Sequence, residues 1–207
     1  MKHIIKLCMA VALLCGASAL HAASVTINNH SFENGAGLPL PAPDWNNNTP
    51  DGWTKSGGGG MQASSPDPTG IDGSVYVFLE GGSASLTQNI TASILGGAVN
   101  PGDIFTLTLA ADNSNNSPTF DFDIQDGFGA SLIGGPVTSS TLTTEFADYD
   151  VVGTVDTASS DIVLYIETNG PQVLIDNVRL DLVQVPEPSS TALLGLGGLA
   201  LILRRRK

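Results

Sequence analysis

Between residues 24 and 184 the side chains alternate with a period of two, and this limits the fold more than anything else in the chain. In "DIFTLTLAAD", Phe105, Leu107 and Leu109 fall on one side and Thr106, Thr108 and Ala110 on the other. In "TFDFDIQ", Phe120, Phe122 and Ile124 alternate with Asp121, Asp123 and Gln125. "DIVLYIET" repeats the pattern with Ile162, Leu164 and Ile166, and "VLIDNVRLDL" with Val178, Leu180 and Leu182. A period of two puts one apolar and one polar face on an extended strand. "SVTIN", "VYVFLE", "SLTQNI" and "TEFADYDVV" are further strand candidates. Clusters such as "VNPGD", "DNSNNSP" and "NGPQ" separate these runs, and their residues favour turns. About eight half-buried strands of this kind predict an all-β antiparallel β-sandwich of the jelly-roll type. The Gly-, Pro- and Asn-rich span 35–73 predicts long loops, with short strands around Trp53 and Met61.

Both ends of the chain break the pattern. Residues 1–23 run from Lys2 and Lys6 through an apolar stretch, Leu7 to Leu14, to small residues, the order of a signal peptide. Ala17-Ser18-Ala19 fits the cleavage rule; cuts after Ala22 or Ala23 also fit, which places the mature start near Ser24. Both cysteines, Cys8 and Cys15, lie in this leader, so the mature domain has neither a disulfide nor a thiolate metal site. At the other end, residues 189–203 are uncharged and largely apolar, and Arg204, Arg205, Arg206 and Lys207 follow. A helix rising ~1.5 Å per residue over that stretch is short for a ~30 Å hydrocarbon core, but snorkelling arginines extend it. The cations favour the cytoplasmic side. The expectation is a short C-terminal transmembrane helix and an inner-membrane-anchored precursor.

Charge narrows the partners. In the span 24–184 the basic side chains are Lys55 and Arg179, against nineteen of the chain's twenty acids. Such a surface repels phosphate backbones, which argues against nucleic acid. Catalytic constellations are sparse. His30 is the one histidine of this span, no Gly-x-Ser-x-Gly elbow occurs, and Asp121 with Asp123 reads as a solvated strand face rather than an acid pair. These features predict a domain without catalysis. Trp45, Tyr76 and Tyr149 are the candidate rings for stacking on a sugar, with Trp53 assigned to packing.

Two resemblances add to this. Pro186-Glu187-Pro188, the glycine-studded apolar run and the terminal arginines, in that order, resemble the PEP-CTERM sorting signal of Gram-negative bacteria. The resemblance implies processing by an exosortase, delivery to the cell surface or extracellular matrix, and association with exopolysaccharide in a biofilm. "INNHSFENG" with "TPDGWT", "LTQNI" with "VNPGDIFTLTLAA", and "VLIDNVRLDLV" resemble galactose-binding-like and carbohydrate-binding-module-like jelly rolls. In such modules a structural calcium sits between the positions held here by Glu33 and Asp176, and oxygen ligands suit that ion. The alternative is a Glu that caps a turn and an Asp bonded to backbone amides. The expected function is a non-catalytic, secreted or surface, carbohydrate-binding protein; the alternatives are a structural or adhesive matrix protein and a glycan hydrolase.

Overall fold

The alternating segments are strands. The computed structural model describes residues 22–64, 71–112 and 118–185. In chain order the elements are β1 (Ala22–Val25), β2 (Trp45–Asn46), β3 (Thr54–Ala63), β4 (Val75–Ile90), a one-turn helix α1 (Ala92–Leu95), β5 (Ile104–Asp112), β6 (Phe120–Gln125), β7 (Val137–Thr138), β8 (Ala147–Thr154), β9 (Ile162–Thr168) and β10 (Gln172–Val183). All strand pairs are antiparallel, in the order β7-β6-β9-β4-β10-β5-β8. β1 adds to β10, and β3 with β2 adds to β4.

The sandwich is therefore one sheet curled into a near-barrel. β4 joins its halves: Val77–Glu80 pair with β10, and Ser85–Ile90 pair with β9. "VYVFLE" and "SLTQNI", expected as separate strands, are the two ends of this single strand. β7 and β8, the ends of the strand order, come into contact. The main core lies inside the curl, where Phe105, Leu107, Leu109, Phe120, Phe122, Ile124, Leu164 and Ile166 are fully covered.

Region 35–73 departs most from expectation. Beside the two-residue β2 it holds the ten-residue β3, which includes the run Gly57–Gly60. A Cβ on Gly60 would stand 1.8 Å from the carbonyl oxygen of Asn46. Only glycine lets β2 pass this close to β3, so the run that reads as loop is a close-approach surface.

The described residues give the expected transmembrane helix no support. Among the described residues no helix is long and apolar enough to cross a membrane. The fold class is an all-β near-barrel sandwich. Residues 1–21 and 186–207, which carry the expected leader 1–23 except Ala22 and Ala23 of β1, the motif Pro186-Glu187-Pro188, the apolar run 189–203 and Arg204–Arg206, lie outside the described residues.

Candidate functional site

β10 carries a defect that makes a site. Val173 and Ile175 point into the core, and so do Val178, Leu180 and Leu182. The gap of three between Ile175 and Val178 breaks the alternation. A bulge between Asp176 and Arg179 absorbs the extra residue, with Asn177 in the left-handed region at φ 48°. Asparagine tolerates that conformation better than most residues, and a bulge can re-aim a side chain. Here it sets Asp176 on the reverse face of the sheet, on the same side as Leu174 and opposite Ala110 of β5. The Asp176 carboxylate is completely buried. Its Oδ2 accepts a hydrogen bond from the Asp72 N–H at 2.6 Å, while Oδ1 is buried without a partner. Burial, opposed by bonds from the backbone at Asp72 and Asn177 and reinforced by the charges of Asp72 and Glu33, pushes its pKa up to about 7.

The loop 26–34 supplies the other acid. The Asn28 backbone and the Gln88 side-chain amide of β4 exchange bonds of 2.8 and 2.9 Å, which tie the loop to β4. Asn29 adopts φ 50° and caps the loop; its Oδ1 accepts from Asn34 N–H, and its carbonyl accepts from Trp53 Nε1 at 3.2 Å. Phe32 is fully buried against Trp53, ring centroids 5.5 Å apart. With Phe32 anchored, Glu33 reaches across to the start of β4. Its Oε1 accepts from Ser74 N–H and Val75 N–H, both at 2.7 Å, and Oε2 from Ser74 Oγ at 3.1 Å. Gly73 permits this, since a Cβ there would stand 2.4 Å from Glu33 Oε1. His30 Nδ1 lies 3.8 Å from Asp72 Oδ2 at the rim. The carboxylates of Glu33 and Asp176 thus make the backbone bonds of the turn-capping alternative, and Asp176 still feels the charge of Glu33.

Beside Asp176 the reverse face is aromatic. Tyr76 and Phe78 of β4, Ala110 of β5, Leu174 of β10 and Phe146 form a second apolar cluster, with Ile71 packed against it. Tyr76 meets Phe146 at 5.4 Å, and Trp45 meets Phe78 edge-on at 6.0 Å. Burial, helped by the negative charge of Asp112, raises the Tyr76 phenol above its ordinary range. Trp45 is 60% exposed and forms the open rim.

Of the three rings singled out in the sequence, Trp45 and Tyr76 share this face. Tyr149 does not: it packs on Phe120 at 6.5 Å, and its phenol accepts the Thr143 N–H at 2.7 Å. Trp53 is a packing residue. Asp121 and Asp123 make fixed bonds rather than a bare solvated face. Asp121 accepts from Thr138 Oγ1, and the buried Asp123 accepts from Ser131 Oγ and Gln125 Nε2. Sequence reasoning missed Asp72, Phe146 and Leu174. The one signal available was the broken spacing in β10, which marks the bulge.

Comparison with known proteins bears on the C-terminal motif and on the fold. Residues 184–207 match the PEP-CTERM protein-sorting motif. No curated protein matches the chain in sequence. Among solved structures, the apo cyclase from Fischerella sp. is 18% identical, with a TM-score of 0.60 over 80% of this chain and 98% of that one. The cyclase from Fischerella sp. TAU in complex with 4-(1H-indol-3-yl)butan-2-one is also 18% identical, with a TM-score of 0.58 over 80% and 100%. The CBM22-1-CBM22-2 tandem of Paenibacillus barcinonensis Xyn10C is 16% identical, with a TM-score of 0.50 over 84% of this chain and 50% of that one. The chain has a PEP-CTERM-like motif and a near-barrel sandwich of the kind shared by distant cyclases and carbohydrate-binding modules.

Three expectations change accordingly. The expected absence of catalysis rested on sparse catalytic constellations; the fold is one that cyclases also use, so that expectation is withdrawn. Carbohydrate binding is not singled out over other uses of the fold. The motif supports sorting by an exosortase to the surface or outside, while the inner-membrane-anchored precursor, which rested on a spanning helix outside the described residues, takes no support from the structure: among the described residues no helix is long and apolar enough to cross a membrane.

Proposed function

We propose that this chain is an exosortase-sorted surface or extracellular protein whose sandwich binds a flat, ring-bearing ligand on the aromatic face, with Asp176 as the group that gives it a proton. The observation that carries this is the bulge-set Asp176 carboxyl, buried with Oδ1 unpartnered, on the strand face that also holds Leu174 and Ala110 of the aromatic cluster. Rings favour rings in edge-on or offset packing, and Trp45 offers an exposed one. A carboxyl with a pKa of about 7 is protonated in part at neutrality, which suits an acid catalyst. The exported protein should bind 4-(1H-indol-3-yl)butan-2-one, the ligand of the Fischerella cyclase, in isothermal titration, and Trp45→Ala should weaken this about tenfold. A flat titration, or equal binding by Trp45→Ala, would exclude the aromatic face.

A second reading puts calcium at the same oxygen. The unpartnered Oδ1, with Glu33 and Asp72 close enough to act on it electrostatically, suits a hard cation. Glu33 and Asp176 would hold the ion, which would tie the N-terminal loop to β10. Among the described residues no group of three or more acidic, His or Cys side chains is gathered as a metal site, so the remaining ligands would be carbonyls or water. A melting temperature that rises with calcium, and does so less in Asp176→Asn, supports this reading; no rise counts against it.

A further inference from the structure

Among the described residues, neither lysine nor arginine pairs with the acids of the segment 26–51. Lys55 Nζ donates to the Gly59 carbonyl inside β3, and Arg179 pairs with Asp148 at 2.7 Å. Neither lines the cavity of about 390 Å³ that Glu33 and Asp51 face. Leu38, Pro39, Leu40 and Val75 give this cavity an apolar wall. One of its carboxylates and the backbone of the other acid are positioned in advance. Glu33 is fixed by its three bonds to Ser74 and Val75. The backbone of Asp51 is tied on both sides: its N–H donates to the Asn34 carbonyl at 3.0 Å, and its carbonyl accepts from Asn29 Nδ2 at 3.0 Å.

The lining discriminates between ligand classes. It contains no aromatic ring among the described residues, so a sugar has no stacking platform there. A bare metal ion would leave most of the volume and all of the apolar wall in water. An organic cation satisfies both parts, its charge at the carboxylates and its hydrocarbon against the wall. We propose that the Glu33–Asp51 cavity binds a small organic ammonium ion. It uses neither the proton of Asp176 nor the aromatic face, so it stands or falls apart from the ring-ligand reading.

The test is an amide NMR titration of the exported protein with n-butylammonium chloride, and in parallel with n-butanol as the neutral counterpart. Saturable shifts are expected at the amides of Asn34, Asp51, Ser74 and Val75, with butanol at least tenfold weaker. Asp51→Asn should weaken butylammonium about tenfold, and Leu40→Ser should weaken it while keeping the charge. Asp148→Asn should leave it unchanged. Equal shifts from both compounds, shifts scattered over the acidic surface, or full binding by Asp51→Asn in a well-dispersed spectrum would each overturn the proposal. Displacement of butylammonium by an equal concentration of calcium chloride would also overturn it, in favour of a metal site.

Discussion

The two faces of the sheet follow different rules. On the core face, β5, β6 and β9 present covered aliphatic and phenyl groups, with the Thr168 hydroxyl at the end of β9 as the polar exception. On the reverse face of β4, β5 and β10 the covered groups include a phenol, two phenyls and a carboxyl, under a half-open indole. The core face gains stability from packing area alone. The reverse face keeps an acid where water is scarce, an arrangement that costs stability and makes sense only where the acid meets a proton, an ion or a ligand. A fold can carry such a face because the core face carries the stability.

The largest effect should come from the core face. Phe122→Ala removes a fully buried ring and should cost about 3–5 kcal/mol in chemical denaturation. A loss below about 1 kcal/mol would mean that the inner face is not the principal core.

The next tests the cost of the acid. Because Asp176 titrates near 7 when folded and near 3.8 when unfolded, the folded state holds the extra proton between those values. Stability is then full below about pH 4 and falls as the pH rises to about 7, by at most ~4 kcal/mol at 1.36 kcal/mol per pKa unit. Melts in EDTA across this window should show the decline, and Asp176→Asn should flatten it. A wild-type profile as flat as that of the variant would remove Asp176 from its buried setting.

Smaller changes sharpen the boundary between the faces. Gly60→Ala places a methyl group against the Asn46 carbonyl and should cost about 1–3 kcal/mol, with β2 and its Trp45 displaced. Fluorescence of Trp45 should change more than that of the buried Trp53. Tyr149→Phe removes the bond from Thr143 N–H and should cost about 1 kcal/mol in the same denaturation assay, with no effect on ligand binding. Trp45→Ala should be nearly neutral in stability, within about 0.5 kcal/mol, because most of its surface is already in water. Its effect belongs to binding.

Much of the fold was legible. β5, β6, β9 and the second half of β10 have one wet and one dry face, so their alternation survives in the sequence. The first half of β4 does not alternate, because Val75 to Leu79 are buried on both faces. That double burial is the trace of the second cluster, but a continuous apolar run does not say what covers its far side. β3 was hidden for the opposite reason: its glycines have no side chains to alternate. Trp45 and Tyr76 were named as rings, yet their meeting on one face depends on β2 reaching β3 and β3 reaching β4.

By itself the sequence determined the local matters: which segments are extended, where the turns fall, that the fold is acidic and free of cysteine, and that the C-terminus carries a sorting motif. Each follows from neighbours within a few residues. Only the tertiary structure decided that Asp176 is buried, that Glu33 crosses to Ser74 and Val75, and that Asp51 shares a cavity with Glu33. These relations join residues far apart in the chain, and the protonation of a carboxyl depends on the solvent it has lost, a property of the folded surroundings.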